Sequence, residues 1–173
     1  MRAVFGVFAL LAVATLADSA RADPPEPYAP AEGKYKVRFP GAPKSTSKTT
    51  KSDLDELTVN VATYVNSDGH VYMVSYSDFP SAPRAETHAD LFAGVREGVK
   101  GSAGKSVGDE TATEFGPDKW PSREFVVDKG KQRTRMRVVL RENRLYQLAV
   151  IGSADFVGGN DAKRFFDSFE LTK

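Results

Sequence analysis

Leu145-Tyr146-Gln147-Leu148-Ala149-Val150-Ile151 is an almost unbroken apolar run, bounded by Arg144 and Gly152. A strand with one face in water alternates apolar and polar residues, whereas a strand covered on both faces reads as continuous apolar sequence. The run therefore predicts an interior strand in a sheet that carries helices on more than one side. Downstream, Ala162, Phe165, Phe166 and Phe169 fall at helical spacing, and Glu170-Leu171-Thr172 closes the chain. Upstream, Phe125 and Val127 alternate with Glu124, Val126 and Asp128, and a two-residue turn at Lys129-Gly130 predicts a β-hairpin. That turn sets Asp128 opposite Lys131 and Glu124 opposite Arg135, with Phe125 and Val127 sharing the other face with Met136, Val138 and Leu140.

Further outward the same reasoning fills in the domain. Tyr35, Val37 and Phe39 alternate within 34–39, a strand stopped by Pro40-Gly41-Ala42-Pro43. The Ser/Thr/Lys-rich stretch 44–51 suits an edge strand or a solvated loop. Segments 57–65 and 70–77 read as strands, joined through Asn66-Ser67-Asp68-Gly69 as a hairpin. Thr87-His88-Ala89-Asp90 has the outline of a capping box, and Leu91, Phe92, Val95 and Val99 then line one side of a helix that ends near Gly98 to Gly104. Another strand is expected within 105–115, followed by a turn at Gly116-Pro117-Asp118. The expected fold is α+β: a central, mainly antiparallel sheet with helices packed on its faces, in one domain over residues 34–173.

Of the 173 residues, 40% are hydrophobic and 27% charged, and none is cysteine, which describes an ordinary globular domain. The missing cysteines exclude a disulfide framework, a thiolate metal site and a cysteine nucleophile. At the front, Arg2 precedes an apolar run from Ala3 to Leu16, and Ala20-Arg21-Ala22 supplies small residues ahead of Asp23. Those 14 residues would span only about 21 Å as a helix, short of a hydrocarbon core about 30 Å thick. Residues 1–22 are thus expected to be a signal peptide cleaved near Ala22, leaving no transmembrane segment and sending the protein to the periplasm or the medium. Cleavage would remove Arg2, Arg21 and Asp18, leaving 22 basic against 22 acidic residues and nothing to suggest a nucleic-acid partner. Pro24, Pro25, Pro27 and Pro30 make 23–33 an expected tether.

Four signals in order, Phe39-Pro40-Gly41-Ala42-Pro43, Tyr72 to Ser77, Arg144-Leu145-Tyr146-Gln147-Leu148 and Arg164-Phe165-Phe166-Asp167-Ser168-Phe169, resemble the bacterial exported proteins of the PsbP/DcrB-like superfamily. The resemblance covers roughly 34–173. It implies an antiparallel sheet between helical layers and a small accessory or adhesion-related role without an established reaction. The absence of a lipobox cysteine departs from the lipoprotein members and implies an exported form without a lipid anchor.

Catalytic motifs fail on inspection. Gly104-Lys105-Ser106 ends like a phosphate loop, but the glycine that the loop needs would fall at Val99, and the segment follows a helix rather than a strand. Ser102 lacks a glycine two places earlier and is no nucleophile elbow. Asp53-Leu54-Asp55-Glu56 and Asn66-Ser67-Asp68-Gly69 lack the further ligands of a calcium loop. No metal or cofactor is expected. The densest charge lies at Lys131, Arg133, Arg135 and Arg137, whose guanidinium forks suit carboxylate or phosphate unless Glu124 and Asp128 neutralise them. Trp120, the single tryptophan, is either an exposed contact or a cap on the core.

The sequence thus points to a non-enzymatic exported domain at the bacterial cell envelope. It would bind an envelope protein or an anionic glycan or lipid through Arg133, Arg135, Arg137 and Trp120. The alternative is a small-molecule binder or hydrolase, its pocket between the sheet and the Thr87 helix and its base His70 or His88.

Overall fold

The computed structural model describes residues 26–51, 56–102 and 104–173. The expected signal peptide, the start of the tether at 23–25 and the stretch Asp53-Leu54-Asp55 lie outside the described residues. In chain order the elements are β1 (Tyr35–Lys36), β2 (Lys44–Lys51), β3 (Glu56–Val65), β4 (Val71–Asp78), α1 (His88–Lys100), β5 (Lys105–Ser106), β6 (Thr111–Phe115), β7 (Trp120–Asp128), β8 (Arg133–Arg141), β9 (Arg144–Gly152), α2 (Ala154–Gly158), α3 (Asn160–Asp167) and β10 (Glu170–Leu171). The main sheet has eight strands in the order β2-β3-β4-β9-β8-β7-β5, with β6 also on the outer edge of β7, and every pairing is antiparallel. Two meanders, β2-β3-β4 and β7-β8-β9, are joined where β4 pairs with β9, and the sheet does not close into a barrel. The fold is a mixed α+β arrangement with helices packed on the faces of an open antiparallel sheet.

The apolar run at 145–151 is the interior strand β9, and its alternate residues feed two separate cores. Tyr146, Leu148 and Val150 face one cluster with Tyr72, Val74, Phe165, Phe166 and Phe169. Leu145 and Ala149 face the other, with Leu91 and Phe92 of α1 and Phe125, Met136 and Val138. Covering by α1 on one side and α3 on the other is why β9 carries no polar alternation. Among the described residues, no helix is long and apolar enough to cross a membrane.

Three expectations are corrected. The β7–β8 hairpin pairs Asp128 with Arg133 and Glu124 with Arg137, two residues along from the expected register. The loop is Lys129 to Gln132, closed by the Lys129 N–H donating to the Gln132 carbonyl and by the Gly130 N–H donating to Asp128 Oδ1 at 2.7 Å. Gly130, with φ +79°, takes the left-handed position in that longer loop. A slip of two preserves the faces, so Phe125 still shares its side with Met136 while the charged partners change.

The capping box does not form. A 3₁₀ turn at Ala85–Thr87 runs straight into α1, Thr87 already has helical backbone angles, and its hydroxyl donates to the Arg84 carbonyl instead. The 34–39 strand shrinks to Tyr35–Lys36 paired with β10, although Tyr35, Val37 and Phe39 are all buried as their alternation requires. The described part of the expected tether, 26–33, is mostly exposed and meets the domain at two points: Tyr28 bridges to Val37 in both directions, and Gly33 is buried under the Tyr35 ring.

Candidate functional site

The expected arginine face exists, and the groups that would meet a ligand are engaged within the fold. Arg133, Arg135 and Arg137 share one face of β8, beside α3. Glu124 sits opposite Arg137 and takes both neighbours: Arg137 Nε donates to Oε1 at 2.7 Å and Arg135 Nη2 to Oε2 at 3.2 Å. Arg137 Nη1 also donates to the Phe166 carbonyl at 2.7 Å, adding to the long 3.4 Å bond that this carbonyl accepts from the Phe169 N–H at the end of α3. The Phe166 ring, 1% exposed, lies under both guanidiniums, at 4.8 Å from Arg135 and 5.3 Å from Arg137. Arg133 donates to Asp128 at 2.8 Å. These arginines fasten α3 and the hairpin loop to the sheet. Arg133 and Gly130 together hold the Asp128 carboxyl below the ordinary carboxylate range.

Trp120 is half-buried against the α3-side core, paired across the ladder with Phe115. The two histidines make separate local contacts. His70 stacks on Phe156 with ring centroids 4.0 Å apart, and His88 Nε2 donates to the Pro83 carbonyl at 3.2 Å. Neither lines either of the two hollows described next, and no α1 residue lines them. Among the described residues, no group of three or more His, Asp or Glu side chains is placed to hold a metal ion.

One hollow lies between α2 and α3, lined by Phe156, Asn160, Asp161 and Arg164 among others. The second, of about 250 Å³, opens on the same face of the sheet as the arginines but at its opposite end. Its walls are Tyr28 and Tyr35 from the segment ahead of the sheet, Ser45 and Ser47 from β2, Asn60 from β3 and Tyr76 from β4. The sheet register explains the gathering. Ser47 pairs with Asn60, Asn60 with Tyr76, and Tyr76 with Tyr146, so these side chains form one row across four strands.

The N-terminal segment is fixed over this row. The Tyr28 and Ser45 hydroxyls share a hydrogen bond of 2.6 Å, and the Tyr35 ring meets Tyr28 and Tyr76 at centroid distances of 6.2 Å each. Arg144 holds the same segment from below: it forms a two-bond fork to Asp78, donates to the Glu32 carbonyl, and covers one face of Tyr76 at 4.7 Å. That fork raises the Arg144 guanidinium further above its ordinary value.

The chemistry of this hollow is neutral. None of the residues lining it is charged. Burial raises the phenols of Tyr35 and Tyr76 above their ordinary value, so both keep their protons at physiological pH. Tyr35 is 2% and Tyr76 8% exposed, yet neither hydroxyl has a hydrogen-bond partner among the described residues. Neither phenol oxygen is among the buried polar atoms that lack a partner, so both reach the hollow's solvent and are open to water or a ligand.

Sequence reasoning missed this place. Serines in an edge strand read as solvation, and Tyr76 reads as packing. The available signal was Tyr28, an aromatic residue set among prolines where a free tether has no use for one. No protein-family model and no curated protein matches this chain.

Proposed function

We propose that the chain is a non-enzymatic binding domain of the bacterial cell envelope, exported after removal of residues 1–22 and built on the PsbP/DcrB-like plan. In this reading it meets its partner at the hollow between Tyr28, Ser47 and Asn60, rather than through Arg133, Arg135, Arg137 and Trp120. The carrying observation is the contrast in hydrogen bonding. Each arginine is tied into the fold, by Glu124, by Asp128 or by the Phe166 carbonyl. The phenols of Tyr35 and Tyr76 have no partner among the described residues. The apolar leader and the small residues before Asp23 support export.

The test is site-specific photo-cross-linking in intact bacterial cells expressing the full chain, with the probe at Ser47 and, as a control, at Lys131 on the hairpin loop. The expected result is a processed protein beginning at Asp23 in the envelope or medium, with an adduct from position 47 only. An adduct confined to position 131 would return the contact to the arginine hairpin. Retention of residues 1–22 in the cytoplasm would end the export reading.

A further inference from the structure

We infer that the hollow bounded by Tyr28, Tyr35, Ser45, Ser47, Asn60 and Tyr76 is a binding site for one ring of a neutral saccharide. The inference rests on the binding reading above and names the ligand class for that site. Three features select the class. With no charged residue in the lining, the site offers nothing to pair with a phosphate, a carboxylate or an ammonium group, which proteins take up with opposite charge. Its volume of about 250 Å³ lies below the roughly 300–1,000 Å³ of sites for drug-sized ligands. That size suits a single ring better than a nucleotide or an acyl chain.

The third feature is the pairing of surfaces. A pyranose presents apolar C–H faces and a rim of hydroxyls that both donate and accept. The hollow answers the first with the half-buried ring of Tyr28, and the second with the Ser47 hydroxyl, the Asn60 amide and two phenol hydroxyls. Asn60 contributes both a carbonyl acceptor and an NH₂ donor from one rigid strand position, flanked by Ser47 on one side and Tyr76 on the other. The Tyr35 and Tyr76 hydroxyls, which have no bond to the described residues and are not sealed from solvent, would exchange water for the ligand's hydroxyls. Fixing the N-terminal segment through Tyr28–Ser45 and Arg144–Glu32 means that the walls are in place before a ligand arrives.

The experiment is an NMR titration of the ¹⁵N-labelled protein with methyl α-D-glucopyranoside, methyl β-D-galactopyranoside and N-acetyl-D-glucosamine, with glucose 1-phosphate as the anionic comparison. At least one neutral sugar should produce saturable shifts centred on the amides of residues 45–47 and 60–62, and glucose 1-phosphate should bind more weakly. Asn60→Val, which suits a strand, should weaken that sugar about ten-fold through loss of its hydrogen bonds. Tyr76→Phe, which removes one oxygen and keeps the ring, should weaken it less and serves if the Asn60 variant fails to fold. Affinity electrophoresis through dextran or with chito-oligosaccharides separates the sources: a gain over the monosaccharide assigns a glycan, and an equal affinity assigns a free or terminal sugar unit. Absence of saturable shifts with all three neutral sugars, or shifts that survive both substitutions unchanged, overturns the inference. A cross-link from Ser47 to an envelope protein without any sugar response would keep the binding reading and remove the saccharide.

Discussion

The two ends of one sheet face carry polar side chains to opposite purposes. At the β7–β8 end, Glu124 stands directly across from Arg137 and the pair is bonded at 2.7 Å beneath α3. At the β2–β3 end, Ser47 stands directly across from Asn60, and no side-chain hydrogen bond joins them among the described residues. The first end draws attention in a sequence because charge is conspicuous, yet desolvating a charge is costly unless a partner is present, so a half-buried arginine cluster has its partners built in. Neutral hydroxyls and amides cost less to leave for water or a ligand. Dense charge here marks where a helix is fastened down, and sparse neutral polarity marks where the surface is free to take something else.

Several measurements would break or sharpen that contrast. Phe166→Ala removes the ring beneath Arg135 and Arg137 from a fully packed site, and should cost about 3–5 kcal/mol in urea denaturation, the largest loss on this face. Arg137→Met keeps much of the side-chain volume but leaves the Phe166 carbonyl with only the long bond from the Phe169 N–H and Glu124 with only Arg135. A loss of about 1–3 kcal/mol is expected, and a loss under a few tenths would place this arginine among the spare groups.

Asp128 should show a smaller, pH-dependent effect. Its carboxyl is held down by Arg133 and the Gly130 N–H, so its contribution is present above the unfolded value of about 3.9 and is lost as pH falls through the lower folded value. An NMR titration should find its midpoint below about 3.9, and Arg133→Gln should bring that midpoint upward. Smallest of all, Ser47→Val should leave stability within about 0.5 kcal/mol; a larger loss would give the hollow a structural duty like that of the arginines.

The fold was legible where burial forces a pattern. The run at 145–151 disclosed an interior strand and helices on both faces, and Ala162, Phe165 and Phe166 disclosed the packed side of α3. The hairpin faces followed from alternation, while its register did not, because a shift of two leaves every apolar residue on its own side. The longer loop is distinguished by the Lys129–Gln132 backbone bond and by the bonds of the Asp128 carboxylate to Gly130 and Arg133. The failed capping box has a similar origin: Thr87 and Asp90 carry the right chemistry, but the 3₁₀ turn before them places Thr87 inside the helical path.

The candidate site was barely legible. Its walls come from residues 28 to 76, distant in sequence and individually bland, and only the pairing of β2, β3 and β4 brings them into one row. The arginines were visible as a cluster, whereas their partners, Glu124 across the hairpin and the Phe166 carbonyl on α3, depend on register and on tertiary packing.

The most direct test is a pair of double-mutant cycles measured by urea denaturation, Glu124→Ala with Arg137→Ala and Ser47→Ala with Asn60→Ala. Both pairs are cross-strand neighbours on the same sheet face, so only their bonding differs. The expected coupling is about 1 kcal/mol or more for Glu124 with Arg137 and within about 0.3 kcal/mol for Ser47 with Asn60. Equal couplings, or the larger value at Ser47 with Asn60, would contradict the division of this face into a fastened end and a free one.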